Sequence, residues 1–166
     1  MSENGNGNGQ KKMTLIAWSG DLDKAWPTLI LATTAAANGV DVAVFFTFWG
    51  LRILQRNDKR TTGTNWKQKA LSLMKRGGSD HLGLSKLNFA GAGPVLMRQL
   101  AKQYKVAEPT ELLELSQQLG VKLWPCQMTM DLMGLKREDL IDGLEETVGA
   151  TTAIQRMSES DIQLFI

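Results

Sequence analysis

Apolar residues along this chain alternate between short continuous runs and longer stretches with helical spacing. Met13-Thr14-Leu15-Ile16-Ala17-Trp18 is almost wholly apolar, the pattern of a strand covered on both faces. Ser19-Gly20-Asp21 follows as a turn, with Asp21 as a candidate helix N-cap. Residues 22–38 read as a helix that tolerates Pro27 in its first turns and stops at Asn38-Gly39. Residues 40–46 form the second apolar run. A strand, helix and strand in this order imply a right-handed parallel crossover.

Beyond Thr47-Phe48-Trp49-Gly50 the pattern loosens. Residues 65–75 suit a helix. Residues 77–93 hold five glycines and read as a long loop, which in a compact domain is usually functional or disordered. Helices are expected over 94–105 and 109–119, the second closed by Gly120. Residues 121–125 make a third strand, 135–142 a short helix, and 144–148 a fourth strand weakened by Glu145-Glu146. A helix over 151–158 and a strand over 161–166 complete the order. Strands alternating with helices predict a three-layer α/β/α fold with a mostly parallel sheet of about five strands. It is expected as a single domain over 13–166, behind a disordered polar tail over 1–12.

Composition narrows the function. One cysteine excludes an intrachain disulfide, and one cysteine with one histidine makes a structural zinc site a poor expectation. No metal or cofactor is expected. The start of the chain lacks the apolar stretch of a signal peptide, and residues 25–37 are too short to cross a bilayer. The expectation is a cytoplasmic protein without a membrane partner. Net charge is only +2, yet residues 51–90 carry nine Lys/Arg against two acids, while 107–166 carry four against eleven. Such a basic stretch serves an acidic partner, is plain solvated surface, or meets a complementary patch in an oligomer. No nucleic-acid motif accompanies it, so nucleic acid is not expected as a partner.

The candidate chemistry centres on Cys126, in Leu123-Trp124-Pro125-Cys126-Gln127-Met128-Thr129-Met130. A thiol where a strand ends and a helix begins faces backbone N–H groups and the positive end of a helix dipole, which favour the reactive thiolate. In open α/β sheets the carboxyl ends of strands are also where ligands bind. Met128, Met130 and Met133 offer soft, polarizable surface, although the spacing of Met130 and Met133 equally suits core packing. Asp131 opposes thiolate formation by its charge. The plain alternative is a small buried cysteine that only packs.

Three segments carry a resemblance: Leu15-Ile16-Ala17-Trp18-Ser19-Gly20-Asp21-Leu22-Asp23-Lys24, Val44-Phe45-Phe46-Thr47-Phe48-Trp49-Gly50-Leu51, and Cys126-Gln127-Met128-Thr129-Met130-Asp131-Leu132-Met133-Gly134. Together they resemble the DsrE/DsrF-like family, in its soluble branch sometimes labelled peroxiredoxin-like. The resemblance implies a homotrimer or hexamer. It also implies a cysteine, here Cys126, that carries sulfane sulfur as a persulfide between donor and acceptor proteins with reactive thiols. The residues expected around it are Ser19, Gly20, Asp21, Phe48, Trp49, Gly50, Pro125, Gln127, Met128 and Met130. Lacking a second cysteine, the chain cannot run a dithiol cycle of its own. Two other readings remain: a non-catalytic oligomeric binding module for a small ligand or partner, and a thiol peroxidase that borrows an external thiol.

Overall fold

Two apolar strands, β1 (Lys12–Ala17) and β2 (Asp41–Phe46), are buried along almost their whole length and form the centre of the sheet. They are joined by α1 (Leu22–Ala37), which runs between Asp21 and Asn38 as the spacing predicts. The computed structural model describes residues 9–58, 65–74 and 77–166. Most of the expected tail, and the basic residues Lys59, Arg60, Lys75 and Arg76, therefore lie outside the described residues. Lys12, assigned to that tail, is already the first residue of β1.

After β2 the chain makes a 3-10 segment, Phe48–Leu54, then α2 (Trp66–Met74), α3 (Ala92–Gln103) and α4 (Pro109–Gln118). β3 (Lys122–Pro125) leads directly into α5 (Gln127–Met133), and α6 (Ala150–Ser158) into β4 (Ile162–Phe165). The sheet order is β3-β2-β1-β4, and every pairing is parallel. Among the described residues the sheet has four strands rather than about five. Residues 144–148 run beside β3 but touch it only through an isolated bridge between Cys126 and Val148 and a hydrogen bond from Glu145 N–H to Leu123 O. Pro125 has no N–H to donate, and Glu145 and Glu146 are exposed, so a full ladder cannot form there. The helix expected over 135–142 is likewise reduced to one 3-10 turn, Arg137–Asp139.

Successive strand residues face opposite ways, and the two faces are packed unequally. Leu15, Ala17, Val44, Phe46 and Leu123 join α1 and α4 in the larger core, through Leu22, Leu29, Leu112 and Leu113 among others. Each such leucine contributes about 1.5–3 kcal/mol of hydrophobic stabilisation. The other face is thinner: Ile16, Phe45 and Cys126 lie under Ala153 of α6, flanked by Trp124, Val148 and Met157. An ionic clamp at Asp41 helps hold α6 there. Arg156 Nη2 donates to Asp41 Oδ2 at 2.7 Å, and Lys122 Nζ to Asp41 Oδ1 at 3.0 Å. Burial raises the Asp41 carboxyl, but the two cations outweigh it and hold it below its ordinary value.

The glycine-rich loop expected over 77–93 is anchored on the α1/α4 side. Ser85 N–H donates to Asp23 Oδ1 at 2.8 Å, Leu22 N–H to Gly83 O at 2.7 Å, and Ser79 shares a hydrogen bond with Thr110. These contacts place it on the face away from the Cys126 cluster.

Candidate functional site at the carboxyl edge of the sheet

The turns after β1 and β2 interlock through two glycines. A Cβ on Gly20 would stand 2.2 Å from Trp49 O, and one on Gly50 would stand 2.0 Å from Ala17 O. No side chain fits either position, so the backbones lie directly against each other. Gly50 N–H donates to Trp18 O at 3.0 Å, and Thr47 N–H to Ala17 O at 3.0 Å. The tight fit turns Phe48 to a φ of 47°, a left-handed conformation costing on the order of 1 kcal/mol in a non-glycine residue. Phe48 and Trp49 are held largely exposed at this edge, as is Trp18, which stacks on Phe165 of β4 with ring centroids 6.3 Å apart.

Behind the interlocked turns lies a polar cluster. Ser19 Oγ donates to Asp21 Oδ2 at 3.0 Å and accepts from Asp21 N–H at 3.2 Å. Asp21 stands at the start of α1 but makes no side-chain capping bond, contrary to its expected role. Its carboxylate instead faces Arg52, which is almost fully buried. Burial lowers the guanidinium below its ordinary value, and Asp21 opposes that shift.

Cys126 occupies the junction of β3 and α5. Its N–H donates to Phe46 O at 3.0 Å, and its carbonyl accepts from Met130 N–H at 3.0 Å, so it is the residue from which the helix starts. The thiol is 2 % exposed. Its cover is the strap over 143–149 together with α6. Val148 N–H donates to Pro125 O at 3.0 Å, Gln127 N–H donates to Val148 O at 3.1 Å, and Thr147 Oγ1 donates to Gln127 Oε1 at 2.6 Å. Gly143, at a φ of 70°, begins the strap, and Gly149 ends it at the start of α6.

Among the expected site residues, Pro125 and Gln127 adjoin Cys126 and grip the strap. Met128 is exposed on the outer side of α5. Met130 turns into the larger core, in a different cluster from Cys126, and Met133 packs against that same core. Ser19, Gly20, Asp21, Phe48, Trp49 and Gly50 share the carboxyl edge, and one residue couples them to α5. Thr129, fully buried, accepts from Phe48 N–H at 3.0 Å and shares a hydrogen bond with Thr47 at 3.2 Å. The sequence points to the backbone N–H groups near Met128 and Thr129 as thiolate donors, but gives no sign of this role for the Thr129 hydroxyl. Val148 and Ala153, which cover the thiol, carry no sequence signal, because only the fold brings them over Cys126.

The edge therefore combines the chain's one cysteine, a soft and aromatic rim, and a glycine-locked backbone, in the position where parallel sheets bind ligands. No group of three or more His, Cys, Asp or Glu suited to a metal ion occurs among the described residues. No helix among them is long and apolar enough to cross a membrane.

Two solved structures share this fold at low sequence identity. The ychN protein from E. coli matches with a TM-score of 0.58 and 15% identity, over 95% of this chain and 100% of that one. The protein of unknown function MTH1491 from Methanobacterium thermoautotrophicum matches with a TM-score of 0.54 and 12% identity, over the same shares. Two relatives match along nearly their whole length. The sulfur carrier protein DsrE2 of Allochromatium vinosum is 39% identical over 160 residues, covering 95% of this chain and 99% of its own. The uncharacterized protein YrkE of Bacillus subtilis is 37% identical over 156 residues, covering 94% and 97%. The model of the DsrE/DsrF/DrsH-like family matches residues 9–165, and with these two relatives 39% and 37% identical over nearly the whole chain, the chain belongs to that family.

Proposed function

We propose that the protein is a cytoplasmic sulfur carrier that holds sulfane sulfur as a persulfide on Cys126. The observation that carries this reading is the placement of the sole cysteine between β3 and α5 at the carboxyl edge, in a chain related to a protein named as a sulfur carrier. The Cys126 thiolate attacks the outer sulfur of a donor persulfide. The donor's S–S bond breaks, the donor leaves as a thiolate, and Cys126 becomes the persulfide. An acceptor thiolate then attacks that outer sulfur, and Cys126 leaves as the thiolate. Each step exchanges one S–S bond for another, with no net oxidation and no cofactor. Donor and acceptor are proteins with reactive thiols, received against the rim of Phe48, Trp49 and Met128. The carrier works as a homo-oligomer, a trimer or hexamer. Because the thiol lies under the strap and α6, transfer requires that cover to move.

Intact mass after incubation with polysulfide tests the reading, with Cys126→Ser alongside. A gain of one sulfur, removed by reductant and missing from the variant, is the expected result. Absence of any gain in the native protein, when the thiol still loads after unfolding, overturns it.

One observation favours a second reading. Cys126 is packed as a core residue among Ile16, Phe45 and Ala153, as in a non-catalytic binding module whose aromatic edge holds a small ligand or partner. That reading predicts a native thiol that resists alkylation and never loads sulfur.

A further inference from the structure

The strap that covers the thiol also forms one wall of a cavity. Glu146 and Thr147 come from the strap, Gln127 and Asp131 from α5, and Lys136 and Arg137 from the turn after it; together they border about 650 Å³. Met130 and Leu135, both buried, supply its apolar part. The hydrogen bond from Thr147 Oγ1 to Gln127 Oε1 joins two of the lining side chains, so the cavity lies against the latch of the strap.

Four of the lining side chains are charged, two of each sign, and they are engaged differently. Asp131 Oδ1 accepts from Gln127 Nε2 at 2.8 Å. Arg137 donates to Ile141 O at 2.8 Å and to Leu144 O at 3.3 Å. The Lys136 ammonium and the Glu146 carboxylate have no partner among the described residues, and they do not pair with each other. A free cation on the body of the protein and a free anion on the strap thus border one space. A simple anion in it would meet Asp131 and Glu146, and a simple cation would meet Lys136 and Arg137. A zwitterion satisfies both signs at once. A single free amino acid would leave most of the volume empty, whereas a short peptide fills it.

We propose that this cavity binds a peptide of two or three residues with charged ends, and that the bound peptide holds the strap closed over Cys126. The peptide's ammonium pairs with Glu146, its carboxylate with Lys136, and its side chains cover Met130 and Leu135. Two of the lining residues belong to the strap, so the site is complete only while the strap is down. A ligand that binds one state better than another shifts the population toward it. Opening of the strap therefore falls by the factor 1 + [L]/Kd. The consequence rests on the sulfur-carrier reading: the occupied cavity shields Cys126, and a persulfide on it, from thiols in solution.

Isothermal titration of the full chain with the tripeptide Gly-Leu-Gly, its ends charged, tests the proposal, with the same peptide acetylated and amidated alongside. Only the charged peptide is expected to bind. At ten times its Kd it is expected to slow both the native alkylation of Cys126 and the hydrogen exchange of the Val148 amide about tenfold. Lys136→Glu and Glu146→Lys are each expected to weaken binding about tenfold, the scale of one charge-assisted contact. Both substitutions in one chain present the charges in reverse, let the peptide bind end for end and restore the affinity, which also shows that the altered chain folds. Failure of Gly-Leu-Gly to bind the wild type overturns the proposal. So does equal binding of the blocked peptide, or binding that slows neither alkylation nor exchange. Loading of Cys126 by polysulfide is read separately by mass, so the cavity and the sulfur reading can each fail alone.

Discussion

The residues that shape the carboxyl edge act through backbone contact more than through side-chain chemistry. Gly50 shows this: a methyl group there would stand 2.0 Å from Ala17 O, and the hydrogen bonds on either side prevent either strand from shifting. Gly50→Ala is expected to destabilise the protein by about 2–3 kcal/mol, the upper part of the range for overpacking at a well-packed position. It should lower the thermal midpoint measured by circular dichroism. An Ala substitution at Gly39, where nothing stands within 4 Å of the added Cβ, tests backbone strain alone at a φ of 79° and should cost less. The Thr-Phe-Trp-Gly-Leu segment was legible in the sequence as distinctive, but its reason was not. A contact between Gly50 and the end of another strand, some thirty residues earlier in the chain, leaves no local pattern. Asp21 illustrates the converse: its position fits a helix cap, and the pull of buried Arg52 and Ser19 overrides that local preference.

At the scale of elements, the cysteine junction was the best predicted part and its cover the least. Apolar residues at 121–125 followed by Pro125-Cys126 locate the end of β3 and the start of α5 correctly, because both signals are local. Whether anything lies over the thiol depends on the strap and α6, whose contacts span twenty residues or more and follow no periodicity. The strap is held by three backbone hydrogen bonds to β3 and α5, by Thr147 on Gln127 and by Arg137 on the Leu144 carbonyl. One side-chain hydrogen bond contributes about 1 kcal/mol. Thr147→Ala should therefore raise the opening equilibrium, and with it the native alkylation rate of Cys126, roughly fivefold. The Val148 amide should exchange with solvent faster in parallel. Equal alkylation rates in variant and wild type would place the route to the thiol elsewhere.

Across the whole molecule, the faces of the sheet differ in how firmly they are closed. The α1/α4 side rests on extensive apolar packing, while the α6 side depends heavily on Asp41, which joins β2, β3 and α6 through Lys122 and Arg156. Because the folded carboxyl lies below its ordinary value, its stabilisation is complete above about pH 4, the unfolded range, and is lost as pH falls through the lower folded value. Asp41→Asn should cost about 2 kcal/mol at neutral pH, the scale of a hydrogen bond to a charged group. It should also flatten the acid limb of the stability curve, read from thermal midpoints between pH 7 and the acid transition. The α/β class and the parallel order of the central strands were legible from the alternation of strands and helices. The count of about five was not, because 144–148 has a strand's apolar residues without the hydrogen-bonding partner that Pro125 withholds.

The position of β4 also bears on how the chain is made. Its register joins Ile162 to Met13 and Phe165 to Ile16, so the last of the four described strands to be synthesised pairs with the first. Until it arrives, β1 presents one edge of unpaired backbone N–H and C=O groups, and the parallel crossover that supplies its partner spans residues 18–161. Vectorial synthesis therefore cannot finish the sheet early. Folding of this protein is expected to be a late event dominated by non-local closure, with the nascent chain dependent on chaperone protection while it waits.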